Sequence, residues 1–425
     1  MSSNYRYRNC FLLLTSTLTV MAGATIAPAL PGMLSAFSGY PNAEWLVKLL
    51  VTLPALVIVL LAPLVGWVVD KSHKKLVLII SVAIYGVAGG SGFLLSESLL
   101  AIFIGRLLLG VAVAGVMVSC GALIADYFSG PERAKYMGLM AAFGSFGGVV
   151  FMGLGSVLAG FSWQLPFTIY FAALLLLPFI WLFIAEPVIA QQPATEAKES
   201  GASRLPNQQA DLQSPQQSPQ QSLRQSPPAI KNSVLTLCCA FACIEVFALY
   251  MMPIHFPFYY SDVTNIAPIG GLPLAGIIIT WMLLVMSLVS FNFAKLRRGF
   301  NYYQLQIAGL SLVALGYLFI AFKPVFSLCF FSATIAGVGL GIMRPNVVMW
   351  VMSAIPPAHR GKAMGAITSS VFIGQFISPL LTQPIVQMWG YSAVYVSVAL
   401  LLFSIALVVA IGTALVSRYT AKVGV

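Results

Sequence analysis

The chain has 425 residues, of which 59% are hydrophobic and only 8% carry a charge. That composition leaves too little polar surface for a water-soluble globular protein, so this class is excluded. A net charge of +11 is compatible with nucleic-acid binding, but the positions of the cations, described below, indicate a membrane protein instead.

Apolar runs of about 20 residues predict membrane-spanning helices, because a helix of that length crosses roughly 30 Å of hydrocarbon and satisfies its own backbone hydrogen bonds. The first run follows Arg6 and Arg8 like a signal peptide, but it is too long for one, and we interpret it as a retained span. The twelve runs lie near 9–30, 46–69, 76–95, 99–124, 136–160, 164–185, 233–257, 271–294, 303–322, 326–351, 362–385 and 391–416.

The loop between the second and third runs contains the most informative motif. Gly66 and Asp70 are four residues apart, and the basic residues Lys74 and Lys75 follow them. This pattern resembles the loop between helices 2 and 3 of the major facilitator superfamily, except that His73 stands where that family usually has glycine. The resemblance covers the whole chain, which divides into two halves of six runs.

The resemblance implies an all-α membrane protein of 12 transmembrane helices in two pseudo-symmetric six-helix bundles, residues 1–185 and 233–425, with both termini cytoplasmic. Residues 186–232 are rich in Gln, Ser and Pro and lack aromatic residues. Such a segment cannot bury enough apolar area to fold. We predict a disordered cytoplasmic linker that acts as a tether, with a regulatory or partner-binding role as the alternative.

The resemblance also implies a conformational latch that favours the outward-facing state. In this latch the Asp70 carboxylate meets the positive N-terminal end of the eleventh helix near Gly361, where a carboxylate is stabilised by about 0.3–1 kcal/mol. The residues assigned to the latch are Gly66, Asp70, Lys74, Lys75, Arg133 and Gly361.

Arg106 and Gly110 in the fourth run are similar to an Arg-x-x-x-Gly pattern of many family members. A charge within the hydrocarbon costs roughly 2.5–3.5 kcal/mol, so Arg106 is expected to face the cavity or a polar partner. The resemblance implies a role in proton coupling. The alternative is an arginine whose side chain reaches the outer headgroups.

Glycines are dense in the fifth run, which resembles the glycine-rich fifth helix of drug:proton antiporters. Such a helix packs tightly against a neighbour across the two halves. The Gly-Pro pair typical of those antiporters is missing, because Phe151 and Met152 stand at that point, so export is favoured only in part. The residues assigned to helix packing are Gly144, Gly147, Gly148, Gly153 and Gly155.

An internal repeat agrees with the division into two halves. An offset of 227 residues places Arg133 on Arg360 and Gly147 on Gly374. These residues lie at the fifth and eleventh runs, so the halves are predicted to repeat in parallel around an axis along the membrane normal. The substrate path is then expected between the halves.

Glu245 and Arg344 are ionisable residues deep in the second half, and their depths differ by roughly 6 Å at 1.5 Å per residue. We predict an ion pair near the midplane, because an unpaired charge there is costly. Glu245 is the first candidate for proton coupling and Arg106 the second, since loss of water disfavours an ionised carboxyl. A purely structural pair is the alternative. The residues assigned to the substrate cavity are Arg344, Glu245, Tyr250, Met251 and His255.

The cations of the predicted loops and tails are distributed unevenly. With the N-terminus in the cytoplasm, the outer loops hold only Lys48 and Lys323, and the other loop and tail cations lie inside. This distribution follows the positive-inside rule and places both termini in the cytoplasm. We therefore expect no nucleic-acid partner.

No catalytic, cofactor or metal motif is legible in the sequence. The six cysteines fall within the predicted runs without a Cys-x-x-Cys pair, and neither a phosphate-binding loop nor a His-Glu-x-x-His motif occurs. We expect no enzyme activity, no cofactor and no metal, and an ion gradient as the energy source.

The expected function is secondary active transport of a small organic molecule across the bacterial inner membrane by alternating access. Proton-coupled efflux of a drug or metabolite is favoured, and a carboxylate siderophore would suit the arginines. Proton-coupled uptake of a nutrient is the alternative, followed by a channel or a non-transporting sensor. The expected partners are the substrate, protons and membrane lipid, and the chain is expected to be a monomer.

Overall fold

The computed structural model describes residues 2–186, 232–264, 274–322, 325–356 and 359–423. Apart from its two end residues, the predicted linker 186–232 lies outside the described residues, and so does Lys323. Within the described ranges, every regular element is helical.

The described helices are numbered in chain order. Those of the first half are α1 Ser2–Ala24, α2 Leu30–Ala36, α3 Ala43–Lys71, α4 Lys74–Gly89, α5 Ser91–Leu94, α6 Leu99–Tyr127, α7 Gly130–Ala159 and α8 Ala172–Phe183. Those of the second half are α9 Asn232–Thr264, α10 Leu274–Leu296, α11 Tyr302–Phe322, α12 Phe326–Ala354 and α13 Arg360–Val423.

The first and sixth predicted spans are less regular than expected. The helix α1 ends at Ala24, and the chain continues through the 3-10 helix Ala27–Ala29 into α2. Pro28 and Pro31 stand in the first turns of these two elements. The sixth span starts with the 3-10 helix Leu165–Phe171, which has Pro166 in its first turn, before α8 follows. Proline is tolerated at such positions because its missing N–H would have no partner there.

Eleven helical stretches of the described chain are long and apolar enough to cross a membrane. The eleventh and twelfth predicted spans both fall within α13, whose 64 residues are interrupted at Gly390. There φ is 79° and ψ is 179°, a backbone conformation that glycine adopts without steric cost. The chain is a multi-pass membrane protein, while the number of twelve spans and the side of the termini stay predictions.

Two large hydrophobic cores hold the described helices together. One is built mainly from α9 to α13 and contains Met251, Tyr317 and Leu340. The other is built mainly from α1 to α8 and contains Leu50 and Tyr85. The assignment of the two halves as separate bundles with the predicted boundaries stays a prediction.

Near one end of the bundle, a few side chains of each half pack into the hydrophobic core of the other half. Ala27 and Met152 from the first half join the core of the second half, and Ile254 and Phe258 from the second half join the core of the first. These residues lie near the end where α3 begins, which we call the Lys48 end. The opposite end, where α3 stops, is called the Asp70 end.

Small residues let neighbouring helices approach closely. A Cβ placed on Gly309 of α11 would lie 3.1 Å from the carbonyl oxygen of Gly339 in α12, and one on Gly339 would lie 2.6 Å from the carbonyl oxygen of Gly309. Such contacts are typical of helix pairs in membranes. Large apolar side chains such as Leu100 and Phe291 are 70% and 86% exposed, as expected for residues that face lipid.

Candidate functional site

Glu245 of α9 and Arg344 of α12 form an ion pair inside the second half. The Nε of Arg344 donates a hydrogen bond of 2.8 Å to Oε1 of Glu245. The Glu245 side chain is 1% exposed and the Arg344 side chain is 43% exposed. The structure thus brings the two predicted residues together, with the Glu245 carboxylate enclosed and the Arg344 side chain partly exposed.

The second oxygen of the Glu245 carboxylate, Oε2, is buried and has no hydrogen-bond partner among the described residues. Arg344 therefore stabilises the ionised carboxylate through one bond to one oxygen. An isolated buried charge is costly, so withdrawal of Arg344 would favour the protonated, neutral form of Glu245. The arrangement can take up or release a proton when Arg344 moves.

The other residues assigned to the substrate cavity differ in exposure. Tyr250 is half-buried, and a Cβ added to Gly23 of α1 would lie 2.8 Å from its hydroxyl, so Tyr250 stands where the halves meet. Met251 and His255 are fully buried, and Met251 belongs to the core of the second half. Their role in the cavity stays a prediction.

Arg106 is fully buried between α1, α6 and the 3-10 helix before α8. Its Nη1 donates to the hydroxyl of Tyr170 at 2.9 Å and to the carbonyl oxygen of Ala22 at 3.3 Å. The guanidinium also lies 4.8 Å from the ring centroid of Phe167. Its Nε and Nη2 are buried without a partner among the described residues. Arg106 therefore faces polar partners inside the first half and does not reach the headgroups, while its role in proton coupling stays a prediction.

The residues of the expected latch stay apart at the Asp70 end. Asp70 and Arg133 are exposed, and a Cβ added to Gly66 or Gly361 would meet no atom within 4 Å. Among the described residues, no hydrogen bond or ion pair joins Asp70 to the start of α13. The latch is thus not formed in this arrangement of the helices, and its function stays a prediction.

Lys74 and Lys75 are engaged within the first half. The Nζ of Lys74 lies 2.5 Å from Oδ2 of Asp126, and the Nζ of Lys75 donates to the carbonyl oxygen of Trp181 at 2.7 Å. The Glu186 carboxylate accepts the backbone N–H groups of both lysines, at 2.7 and 2.9 Å, and caps the first turn of α4. Sequence reasoning missed Asp126, and it placed Glu186 in the linker.

The glycines assigned to packing in α7 mostly face the first half. The tightest is Gly155, where an added Cβ would overlap the carbonyl oxygen of Thr25, just after α1. Gly153 has its nearest neighbour in the second half, at Thr280 of α10, 3.6 Å from an added Cβ. The expected contact across the halves therefore involves Gly153, and the other four serve the pairing of α7 with α1. Those four are Gly144, Gly147, Gly148 and Gly155.

Lys48 lies at the centre of a polar cluster that sequence reasoning missed. The charge distribution places Lys48 in an outer loop, but it lies in α3 with its side chain fully buried. Its Nζ donates to Oε1 of Glu44 at 2.5 Å, to Oε1 of Gln383 at 2.8 Å and to the hydroxyl of Tyr391 at 3.3 Å. The same nitrogen lies 4.8 Å from the ring centroid of Phe258. Lys48 thereby connects the two halves.

His255 packs beside this cluster, with its ring centroid 6.2 Å from that of Tyr391. Its Nε2 lies 2.6 Å from Oγ1 of Thr382, and that hydroxyl donates its own proton to the carbonyl oxygen of Ser378 at 2.6 Å. Because Thr382 has one proton to give, His255 must donate from Nε2. In the neutral imidazole, Nδ1 then carries the lone pair.

The described cysteines and acidic residues form no metal site. No group of three or more His, Cys, Asp or Glu side chains in the described chain is arranged to hold a metal ion. The six cysteines are free, and Cys10 is exposed while the others are buried or half-buried.

Comparison with known proteins agrees with the observed architecture. The model of the Major Facilitator Superfamily matches residues 12–301 and 270–422. Among curated proteins, the chain is 24% identical over 360 residues to the quinolone resistance protein NorA of Staphylococcus aureus, covering 85% of this chain and 86% of NorA. It is 26% identical over 205 residues to multidrug resistance protein 2 of Bacillus subtilis, covering 45% of this chain and 49% of that protein.

Solved transporter structures share the fold at low identity. A bacterial homologue of the human lysosomal transporter Spinster, in an inward-facing and occupied conformation, has a TM-score of 0.71 at 16% identity and covers 98% of both chains. The D-xylose-proton symporter has a TM-score of 0.71 at 14% identity, covering 94% of this chain and 97% of its own. Since the family model extends over both halves, the chain belongs to the Major Facilitator Superfamily of membrane transporters.

Proposed function

We propose that this transporter exports a small organic molecule across the bacterial inner membrane in exchange for protons. The observation that carries the proposal is the pair in which a buried Glu245 is held by one hydrogen bond from a half-exposed Arg344. The proposal includes twelve spans in two six-helix bundles, with both termini in the cytoplasm and alternating access between the halves.

Glu245 has two stable states in this scheme. With Arg344 in contact, the carboxylate is ionised and its charge is compensated. When Arg344 is withdrawn, burial of the uncompensated charge is costly and Glu245 takes up a proton. We assign that proton to Oε2, because this oxygen accepts no hydrogen bond among the described residues.

The charge of the substrate decides whether substrate and proton move in opposite directions or together. A cationic or hydrogen-bond-donating group that replaces Arg344 beside Glu245 competes with the proton for the carboxylate. Substrate and proton then exclude each other, and the transporter exchanges one for the other. One charge that moves through 100 mV releases about 2.3 kcal/mol, enough to drive a substantial substrate gradient.

Export as the direction is supported by the relatives. The names of NorA and of multidrug resistance protein 2 describe resistance to quinolones and to several drugs. The glycine-rich α7 also resembles the fifth helix of drug:proton antiporters.

Exposure of Arg344 favours a second candidate function, proton-coupled uptake of an anion. The Arg344 side chain is 43% exposed, and its planar guanidinium has five N–H donors that suit a carboxylate. An anion that draws Arg344 from Glu245 would leave the glutamate to be protonated, so anion and proton would travel together. A polyanionic molecule such as a carboxylate siderophore fits this candidate better than exchange for protons.

The first experiment compares intact cells that produce the protein with cells that produce Glu245→Gln. Small molecules in the cells and medium are profiled with and without a protonophore. We expect a molecule that accumulates in the medium only with intact Glu245 and an intact gradient. Glu97→Gln, at an exposed acidic residue, is the matched control and should behave like the unaltered protein. Depletion of a molecule from the medium would support uptake instead.

The second experiment tests whether the substrate is exchanged for protons or moves together with them. It uses everted membrane vesicles with an acidic lumen. Tetraphenylphosphonium and benzoate serve as the cationic and anionic probes, and a fluorescent weak base reports the lumen pH. Under the export proposal, the cation raises the lumen pH in a Glu245-dependent way and the anion does not. If Glu245→Gln exports normally, the assignment of the proton carrier is wrong and Arg106 becomes the residue to test.

A further inference from the structure

We propose that Glu44, Lys48, Gln383 and Tyr391 form a lock that holds the two halves together at the Lys48 end. Glu44 and Lys48 lie on the first turns of α3, in the first half. Gln383 and Tyr391 lie in α13, on either side of the interruption at Gly390. No other buried ammonium group joins the halves in the described part of the chain.

The hydrogen bonds of the lock cross from one half to the other. Lys48 donates to Gln383 at 2.8 Å and to Tyr391 at 3.3 Å. Tyr391 in turn donates to Oε1 of Glu44 at 2.5 Å. The Lys48 Nζ also lies 4.7 Å from the Tyr391 ring centroid and 4.8 Å from that of Phe258. Separation of the halves at this end must break all of these contacts.

The pairing of Glu44 with Lys48 makes the lock reversible. These residues are four positions apart on one helix, with Nζ and Oε1 at 2.5 Å, so the pair stays together when the halves separate. Opening therefore exposes a neutralised pair to water and leaves no single charge in the apolar interior. Without Glu44, a lysine at this place would instead put an uncompensated charge between the two halves.

A residue with a positive φ precedes each side of the lock in the chain. Asn42, with φ at 56°, immediately precedes α3, and Gly390, with φ at 79°, immediately precedes Tyr391. A positive φ turns the chain sharply at each site, and the left-handed region suits Gly and Asn best. Two of the three positive-φ residues in the described chain thus stand at the lock, the third being Gly130.

The Asp70 end behaves in the opposite way. While the lock is closed, Asp70 and Gly361 of the expected latch have no contact with each other among the described residues. Rocking of two rigid halves about the middle of the bundle closes one end as it opens the other. The lock and the latch are therefore alternatives, and the closed lock stabilises the state that is open at the Asp70 end.

The test measures distances between spin labels in the purified full-length protein. One pair is attached at the Lys48 end, at exposed Tyr40 and Trp389, and another at the Asp70 end, at exposed Ser72 and Lys362. The background carries Cys10→Ser, Cys239→Ala and Cys243→Ala, because these cysteines are not fully buried.

Lys48→Met is expected to raise the share of molecules with the longer distance at the Lys48 end several-fold, and to shorten the distance at the Asp70 end. Gln383→Leu removes one bond across the halves and keeps the Glu44–Lys48 pair, so it should shift the same populations less. Lys295→Met, an exposed lysine in α10, is the control and should change neither distance.

Unchanged distances in both Lys48→Met and Gln383→Leu would overturn the proposal. Gln383→Leu keeps it testable if Lys48→Met does not fold, because no buried charge is created or lost. The readout needs no substrate and no assumption about direction, so the lock can fail while the export proposal stands, and the reverse holds as well.

Discussion

Gly147 of α7 and Gly374 of α13 occupy matching places in the two halves, at the offset of 227 residues seen in the sequence. A Cβ on Gly147 would lie 3.0 Å from the Cβ of Thr17 in α1, and a Cβ on Gly374 would overlap the carbonyl oxygen of Cys243 in α9. The helices α1 and α9 are the first long helices of their halves. The corresponding helix pairs, α1 with α7 and α9 with α13, are therefore each packed through a glycine. This agrees with the parallel repeat that the sequence predicts.

Replacement of Gly374 by alanine is expected to lower the stability of the protein by about 1–3 kcal/mol, because the new methyl group meets a backbone carbonyl that cannot move cheaply. The measurement is the Tm of the purified protein in detergent. Gly147→Ala should cost less, because the side chain of Thr17 can shift.

Gly365→Ala is the control for this experiment, since an added Cβ there meets no atom within 4 Å. Alanine is a better helix former than glycine, so this variant should be stabilised by about 0.5–1 kcal/mol. Equal Tm values for Gly374→Ala and Gly365→Ala would contradict the close contact of α13 with α9.

Arg344→Gln is expected to destabilise the protein more than the double variant Arg344→Gln with Glu245→Gln. Removal of one partner of a buried pair costs about 3–5 kcal/mol when the other charge stays, and the lower end applies here because Arg344 is 43% exposed. The double variant leaves no charge behind. Thermal unfolding of Arg344→Gln, Glu245→Gln and the double variant, each compared with the unaltered protein, gives the coupling energy, and additive losses would show that the two residues do not stabilise each other.

Glu186→Ala is expected to lower stability by about 1 kcal/mol, because both carboxylate oxygens accept backbone N–H groups at the start of α4. Glu186→Gln should be less harmful, since its carbonyl oxygen can still accept one of these bonds. The Tm of each variant is compared with that of Glu97→Ala, an exposed acid outside the cap. A loss no larger than in Glu97→Ala would contradict the cap.

Asp70→Asn is expected to act opposite to Lys48→Met. The latch favours closure of the Asp70 end, so its removal should raise the share of molecules in which the Lys48 end is closed. The same two pairs of spin labels report this shift. A longer distance at the Lys48 end in Asp70→Asn would contradict the assignment of Asp70 to a latch.

The approach of Glu245 to Arg344 was predictable because a helix rises by a constant amount per residue. Depth in the membrane can therefore be read from position in an apolar run. A charge in hydrocarbon also needs a partner, which limits the candidates to very few. By the same rule the sequence required a polar environment for Arg106, but it left open whether that environment was the headgroups, the cavity or a polar partner. The structure supplies the partners Tyr170 and Ala22.

The cluster around Lys48 was not predictable in this way. Lys48 and Gln383 are separated by 335 positions, and Gln383 and Tyr391 are neutral side chains that many environments accept. Glu44 is four residues from Lys48, but such a pair at the start of a helix is common on solvated surfaces. The position of Lys48 near the end of an apolar run therefore indicated an outer loop.

The sequence by itself determined the membrane class, the all-helical architecture and the family, because these depend on the number of apolar residues, their run length and local motifs. Only the tertiary structure decided which side chains meet across the two halves. Helices that are apolar on every side can rotate about their axes with little change in hydropathy. Packing between glycines, and the few hydrogen bonds that buried polar groups must make, select one rotation and with it the partners of Lys48, Arg106 and Glu245.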